Sequence, residues 1–293
     1  MLHKNKSLLR TFVRIFALIL VLSMMLVGCD DIVSKDEFPD FEPNAVGGDG
    51  GNKVNQNNNN SKPNNNAKPD DNNANDINPN SSSNNSGKKR VAITYDDGPH
   101  NVRTMAIVDE LEKYGFNATF FVVGNRVDGT AYNGAKALKY AAEKGNEIAI
   151  HAYTHDYYYD SCDSSIYKEE LSNTKAAILK QIPKAKVNLM RPVGGRITEE
   201  RTANCDYSVI MWSVDSNDWK YKNDGASGVE TIVDNVMSQV KNGSIILMHD
   251  IYENTVEATK KILKELNSQG YEVVTVSELL GSPKAGVKYS KAS

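Results

Sequence analysis

The sequence predicts an α/β fold with a parallel sheet, confined to about residues 89–282 of the 293. Three observations carry that prediction. Short apolar, β-rich runs alternate with amphipathic stretches along this segment. Several runs are continuously apolar, as expected for parallel strands buried on both faces. Polar residues gather just after one run after another, where parallel α/β folds build their sites.

The predicted strands are Val91–Tyr95, Ala118–Val123, Glu147–Ile150, Val187–Met190, Ser208–Trp212, Ile245–Met248 and Glu272–Val276. After the first, Met105, Val108 and Leu111 share one helical face, with Asn101 placed to cap its start and Gly115 just past its end. Ala135, Leu138 and Ala142 repeat the pattern before Gly145, and Leu171, Ile178 and Ile182 mark a helix stopped by Pro183. Ser227 and Glu230 have the spacing of a capping box, opening a helix that ends by Gly243. A last long helix is expected from about Thr255 to Leu266, before Gly270. These strands leave two architectures open: a doubly wound sheet, or a (β/α) barrel short of eight strands. No GxGxxG or Walker loop follows the first strand, which weakens a nucleotide-binding reading.

The segments ahead of this domain differ in kind. Lys4, Lys6, Arg10 and Arg14 precede the almost wholly apolar Ile15–Val27, a length that suits a signal peptide. That run ends in LVGC, Leu26 to Cys29, which resembles the lipobox of bacterial lipoproteins. The resemblance implies a signal peptide over 1–29, lipidation at Cys29 and a lipid anchor on the extracytoplasmic face of a cell membrane. The alternative is an uncleaved signal anchor with an incidental cysteine. Residues 30–88 carry a tract, Gly47 to Gly87, made mostly of Asn, Ser, Gly, Asp and Pro. Such a tract offers too little apolar surface to offset ordering entropy, so a disordered linker is expected. Residues 283–293 are read as a C-terminal tail. The net charge of −3 gives no ground for a nucleic-acid partner. Cys162 and Cys205 could bridge in an exported domain or stay as thiols, and the sequence leaves both open.

The chemistry collects at the strand ends. Asp96 and Asp97 follow the first strand in ITYDDGPH, and HAYTH places His151 and His155 after the third. RPVGG brings Arg191, WSVDSNDW brings Trp212, Asp215, Asp218 and Trp219, and LMHD brings His249 and Asp250. Of five histidines, four (His100, His151, His155 and His249) follow predicted strands. One strand-end histidine is usually structural; four together point to a site. His151 and His155 can face one way if their loop opens a helical turn. Two imidazoles and one carboxylate make a catalytic zinc set with coordination positions to spare. No Glu follows His151, so this is not the HExxH protease pattern.

YDDGP, HAYTH, RPVGG, DSNDW and LMHD, in this order, resemble the five motifs of the polysaccharide deacetylases, the NodB-homology family or carbohydrate esterase family 4. The resemblance implies a distorted (β/α) barrel with fewer than eight complete repeats, forming a single catalytic domain. It implies an N-deacetylase whose one divalent metal, usually zinc with cobalt or another ion as options, is held by Asp97, His151 and His155. Asp96 would be the general base, held by Arg191. His249 would be the general acid, oriented by Asp218. Trp219, Leu247 and Pro99 would contact substrate, and the Gly194 N–H would serve the oxyanion hole. This chain departs from the family pattern at Ala152, where Ser or Thr is usual, with Thr154 in reserve. It departs again at Val193 and Gly194, where Pro and Tyr are usual, so an aromatic wall is missing from that position.

The substrate expected from an anchored, tethered domain outside a bacterium is N-acetylglucosamine of peptidoglycan, with chitooligosaccharides and acetylxylan as alternatives. The chain is expected to work as a monomer. A non-catalytic glycan-binding module would lack a base, ligand or acid, and none is missing. A two-metal phosphohydrolase would want more carboxylates and more basic residues at the strand ends.

Overall fold

The computed structural model describes residues 87–129 and 134–293. The predicted signal peptide, Cys29 and the linker up to residue 86 lie outside the described residues. Among the described residues nine strands form one sheet: β1 Lys89–Asp96, β2 Thr119–Val123, β3 Glu147–Ala152, β4 Leu189–Met190, β5 Ser208–Ile210, β6 Val214–Asp215, β7 Ile245–His249, β8 Tyr271–Val273 and β9 Lys288–Tyr289. Their order is β6-β7-β1-β2-β3-β4-β5-β9, with β8 also on β1, and every pair is parallel.

Chain connectivity forces this sheet to curl. β5 and β6 stand six places apart in the strand order, about 29 Å across a flat sheet at ~4.8 Å per strand. Yet only residues 211–213 join them, a reach of at most ~14 Å. The sheet must therefore bend its ends together into a distorted half-barrel, and the Ser213 N–H reaches the Ile245 carbonyl of β7 at 3.0 Å. The open-sheet alternative is thereby excluded.

Side-chain alternation sorts two cores. Val91, Ile93 and Tyr95 of β1 face outward into the large core beneath the helices, with Phe120, Ile150, Ile246 and Met248. Ala92, Phe121, Ala149, Leu189, Ile210 and Ile245 face inward, where Val276 joins them from the helix Val276–Leu280.

Several expectations change in detail. The helix Arg103–Glu112 starts at Val102 rather than under an Asn101 cap. His100 satisfies its free N–H groups instead: Nδ1 accepts from Val102 N and Arg103 N, each at 3.2 Å. Ser227 and Glu230 form no capping box, because the helix Gly225–Met237 begins ahead of them and Glu230 pairs with Lys261. The capping box belongs to Thr275 and Glu278, within and beyond a segment read as strand. Residues 283–293 are not a loose tail. β9 pairs with β5, and the Ala292 N–H donates to Gly243 O at 2.9 Å beside β7, so the segment ties one end of the sheet to the other. Cys162 and Cys205 are both free thiols. No helix among the described residues is long and apolar enough to cross a membrane.

Candidate active site

The inward face is apolar at one end and polar at the other, and the period of two carries it there. Stepping along β1, Ala92 gives way to Thr94 and then Asp96. Ala149 is followed by His151, Leu189 by Arg191, and Ile245 by Leu247 and His249. The predicted catalytic side chains thus share one lumen because they share alternation parity with the inner core.

Arg191 is the hub of this lumen. It is fully buried, with its guanidinium 4.2 Å above the Phe121 ring and 5.6 Å from Trp212. Nη1 donates to Asp96 Oδ1 at 2.7 Å and to Thr94 Oγ1 at 2.8 Å, while Nε and Nη2 donate to the carbonyls of Ile210 and Met211. Burial lowers the Arg191 pKa and Asp96 acts against it. Asp96 is itself 4% exposed, so each charge is the other's compensation.

Asp97, His151 and His155 converge as the sequence pattern requires. His151 Nε2 and His155 Nε2 lie 3.3 and 3.1 Å from Asp97 Oδ1. His151 Nδ1 is engaged with the Arg191 carbonyl at 2.8 Å, so Nε2 is the nitrogen turned to the carboxylate. Asp97 Oδ1 is buried and makes no hydrogen bond of good geometry. Donor atoms bound at about 2.0–2.1 Å to a tetrahedral ion lie ~3.4 Å apart, close to the separations found. Buried orphan oxygen, converging lone pairs and spacing all fit a divalent cation, and this is the one candidate metal cluster among the described residues. Burial alone would raise the Asp97 carboxyl, but the two imidazoles outweigh it and hold it well below the usual range. Asp97 and His155 both take left-handed backbone, φ 73° and 72°, an unfavourable conformation of the kind that collects at functional sites.

Across the lumen, Asp218 is fully buried and accepts four hydrogen bonds. Oδ1 accepts from His249 Nδ1 at 2.7 Å and Trp219 N at 2.9 Å; Oδ2 accepts from His249 N and the Thr255 hydroxyl, both at 2.7 Å. His249 therefore keeps its proton on Nδ1 and presents Nε2. Burial pulls its pKa down, but Asp218 pulls harder and raises it to about 10.

The remaining predicted positions divide. Gly194 and Trp219 are exposed, Trp219 by 49%. Leu247 is 5% exposed, one alternation step below His249 in the lumen floor. Pro99 is buried with its ring against Gly134. His100 does not join the site but caps a helix; burial pushes its pKa down to about 4. Asp215 accepts from Asn217 N at 2.8 Å and shapes its own turn.

Two supporting acids have roles that the sequence reading did not assign. Glu170, buried in the helix Ser164–Gln181, accepts from Tyr153 N at 2.8 Å, Thr154 N at 3.0 Å and Thr154 Oγ1 at 2.9 Å. It clamps the loop carrying His155, which answers the departure at Ala152: that side chain is buried in the core, and Thr154 supplies the hydroxyl. Asp250 is fully buried, accepts from the Thr104 hydroxyl and lies under the turn after Asp97. A Cβ on Gly98 would collide with its carboxylate, so the bare glycine leaves room for the buried acid.

Comparisons with known proteins bear on the fold and the family. A family model described as Polysaccharide deacetylase matches residues 83–209. The peptidoglycan-N-acetylmuramic acid deacetylase PdaC of Bacillus subtilis is 38% identical over 194 residues, covering 66% of this chain and 39% of that protein. The chain thus spans well under half the length of the first curated relatives it matches. A peptidoglycan-N-acetylglucosamine deacetylase of Bacillus cereus is 37% identical over 203 residues, covering 67% of this chain and 90% of that protein. The structure of a family 4 acetyl xylan esterase from Clostridium thermocellum, in complex with a cobalt ion, superposes with a TM-score of 0.62 at 30% identity, covering 69% of this chain and 98% of that one. On motifs, fold and sequence alike, this chain belongs to the polysaccharide deacetylase family.

Proposed function

We propose that this chain is a zinc-dependent N-deacetylase of peptidoglycan, removing acetyl groups from N-acetylglucosamine. The observation that carries the reading is the pairing of opposed proton carriers, Asp96 on Arg191 and His249 on Asp218, around the Asp97–His151–His155 cluster. Asp97, His151 and His155 would hold a zinc ion, which when bound would supply Lewis acidity toward the acetyl carbonyl and water. Asp96, with Oδ1 tied to Arg191, accepts the proton of the attacking water at Oδ2. The water oxygen adds to the acyl carbon, and the Gly194 N–H on the exposed rim donates to the developing oxyanion. His249 delivers the Nε2 proton to the leaving nitrogen as the C–N bond breaks, giving acetate and a free amine. The site is complete within one chain, so a monomer suffices.

The choice of peptidoglycan draws on the activities for which the relatives are named and on the signal-peptide-like N-terminal sequence. Acetate release from peptidoglycan, N-acetylglucosamine oligomers and acetylxylan, with and without chelator, tests it. Preference for peptidoglycan, lost on chelation and restored by Zn2+, is expected; preference for acetylxylan would overturn the substrate. Anchoring at Cys29, on the extracytoplasmic face, predicts that the full chain fractionates with membranes and that Cys29→Ser releases it. A membrane-bound Cys29→Ser protein would favour an uncleaved anchor.

A further inference from the structure

We propose that Tyr158 is a sugar-stacking residue of this site, standing over Gly194 where the chain has no side chain of its own. The inference deepens the deacetylase reading and rests on it. Five large hydrophobic residues are exposed among the described residues, and three are aromatics next to site side chains: Tyr157 and Tyr158 just after His155, and Trp219 beside Asp218. Tyr158 is the one the structure holds in place. Its guanidinium neighbour Arg196 lies 4.2 Å from the ring centroid, and Arg196 Nε is fixed by Asp160 Oδ2 at 2.9 Å. The next residue, Tyr159, is buried, bridges Ile197 and gives its carbonyl to Arg201 at 2.7 Å. The loop is thereby pinned to the strand exit that carries Arg191.

Gly194 explains how the ring fits. It takes φ 59°, and a Cβ there would lie 3.2 Å from Tyr158 Cε1, tighter than an ordinary contact. The bare backbone leaves room for the ring, which packs over it and remains 46% exposed. An exposed aromatic ring, preorganised at the rim of a polar, proton-transferring lumen, suits a ligand with an apolar C–H face and polar edges. A pyranose ring has that form. Stacking would act on substrate binding, because the ring touches neither the acyl carbon nor the proton carriers.

The test compares wild type, Tyr158→Ala and Tyr158→Phe on an N-acetylglucosamine oligomer and on an aryl acetate that carries no sugar. Tyr158→Ala is expected to raise KM for the oligomer roughly tenfold, with kcat held within about twofold. Tyr158→Phe should behave as wild type, and the aryl acetate should be cleaved equally by all three. An unchanged oligomer KM in Tyr158→Ala, or an equal loss on the aryl acetate, overturns the proposal while leaving the deacetylase reading intact. A wild type that cleaves the aryl acetate but no glycan overturns both.

Discussion

Replacing Arg191 with Met is expected to cost about 3–5 kcal/mol of stability and to abolish acetate release. Methionine fills a similar volume, so the loss comes from electrostatics more than from a cavity. Asp96 would remain buried with its ionic partner gone, and the Ile210 and Met211 carbonyls would lose their donor. With the guanidinium gone, nothing holds the Asp96 carboxylate in the geometry that accepts the water's proton. Denaturant unfolding measures the first effect and acetate release the second. Adding Asp96→Asn to Arg191→Met should recover part of the stability, since no lone charge is left, and none of the activity. A single variant as stable as wild type would show that the pair is not mutually dependent.

Asp218→Asn should lower kcat by as much as ~10⁴-fold, the scale seen when a buried carboxylate that fixes a histidine tautomer is neutralised. Its pH profile should move as well. Burial depresses the His249 pKa and Asp218 raises it to about 10, so the acid form is present below that value and is lost as pH rises through it. Without the Asp218 charge the depressing influence dominates, and the alkaline limb should shift to lower pH. Linkage carries the same sign into stability. The His249–Asp218 pair contributes fully below the ordinary histidine pKa of about 6.5, and the contribution fades as pH rises through about 10. An alkaline limb that stays in place in Asp218→Asn would remove His249 from the role of acid.

The sequence made much of this legible for a physical reason. Continuous apolar runs mark strands buried on both faces, so seven of the nine strands could be read. β6 and β9 are two residues each and owe their pairing to neighbours rather than to a pattern. Parity along the strands placed Asp96, His151, Arg191 and His249 in one lumen, since each follows an inner-core residue by two or four. His100 misled because position after a strand says nothing of where an imidazole turns: one step past Pro99 it faces the helix Arg103–Glu112. Glu170 was hidden in an ordinary amphipathic helix, and only packing against β3 reveals that it clamps the His155 loop. Tyr158 was equally silent, because its partner Gly194 lies 36 positions away and offers only an absence.

The central claim is that the two neighbouring acids divide the work, Asp97 binding the cation and Asp96 moving the proton. Metal content per chain and acetate release, measured together for Asp96→Asn and Asp97→Asn, test it most directly. Asp97→Asn should lose the metal and turnover together. Asp96→Asn should keep one metal per chain and lose about 10²–10⁴ in kcat, the range for a positioned general base. Retention of wild-type turnover by a metal-loaded Asp96→Asn, or loss of metal from that variant with retention in Asp97→Asn, would contradict the account.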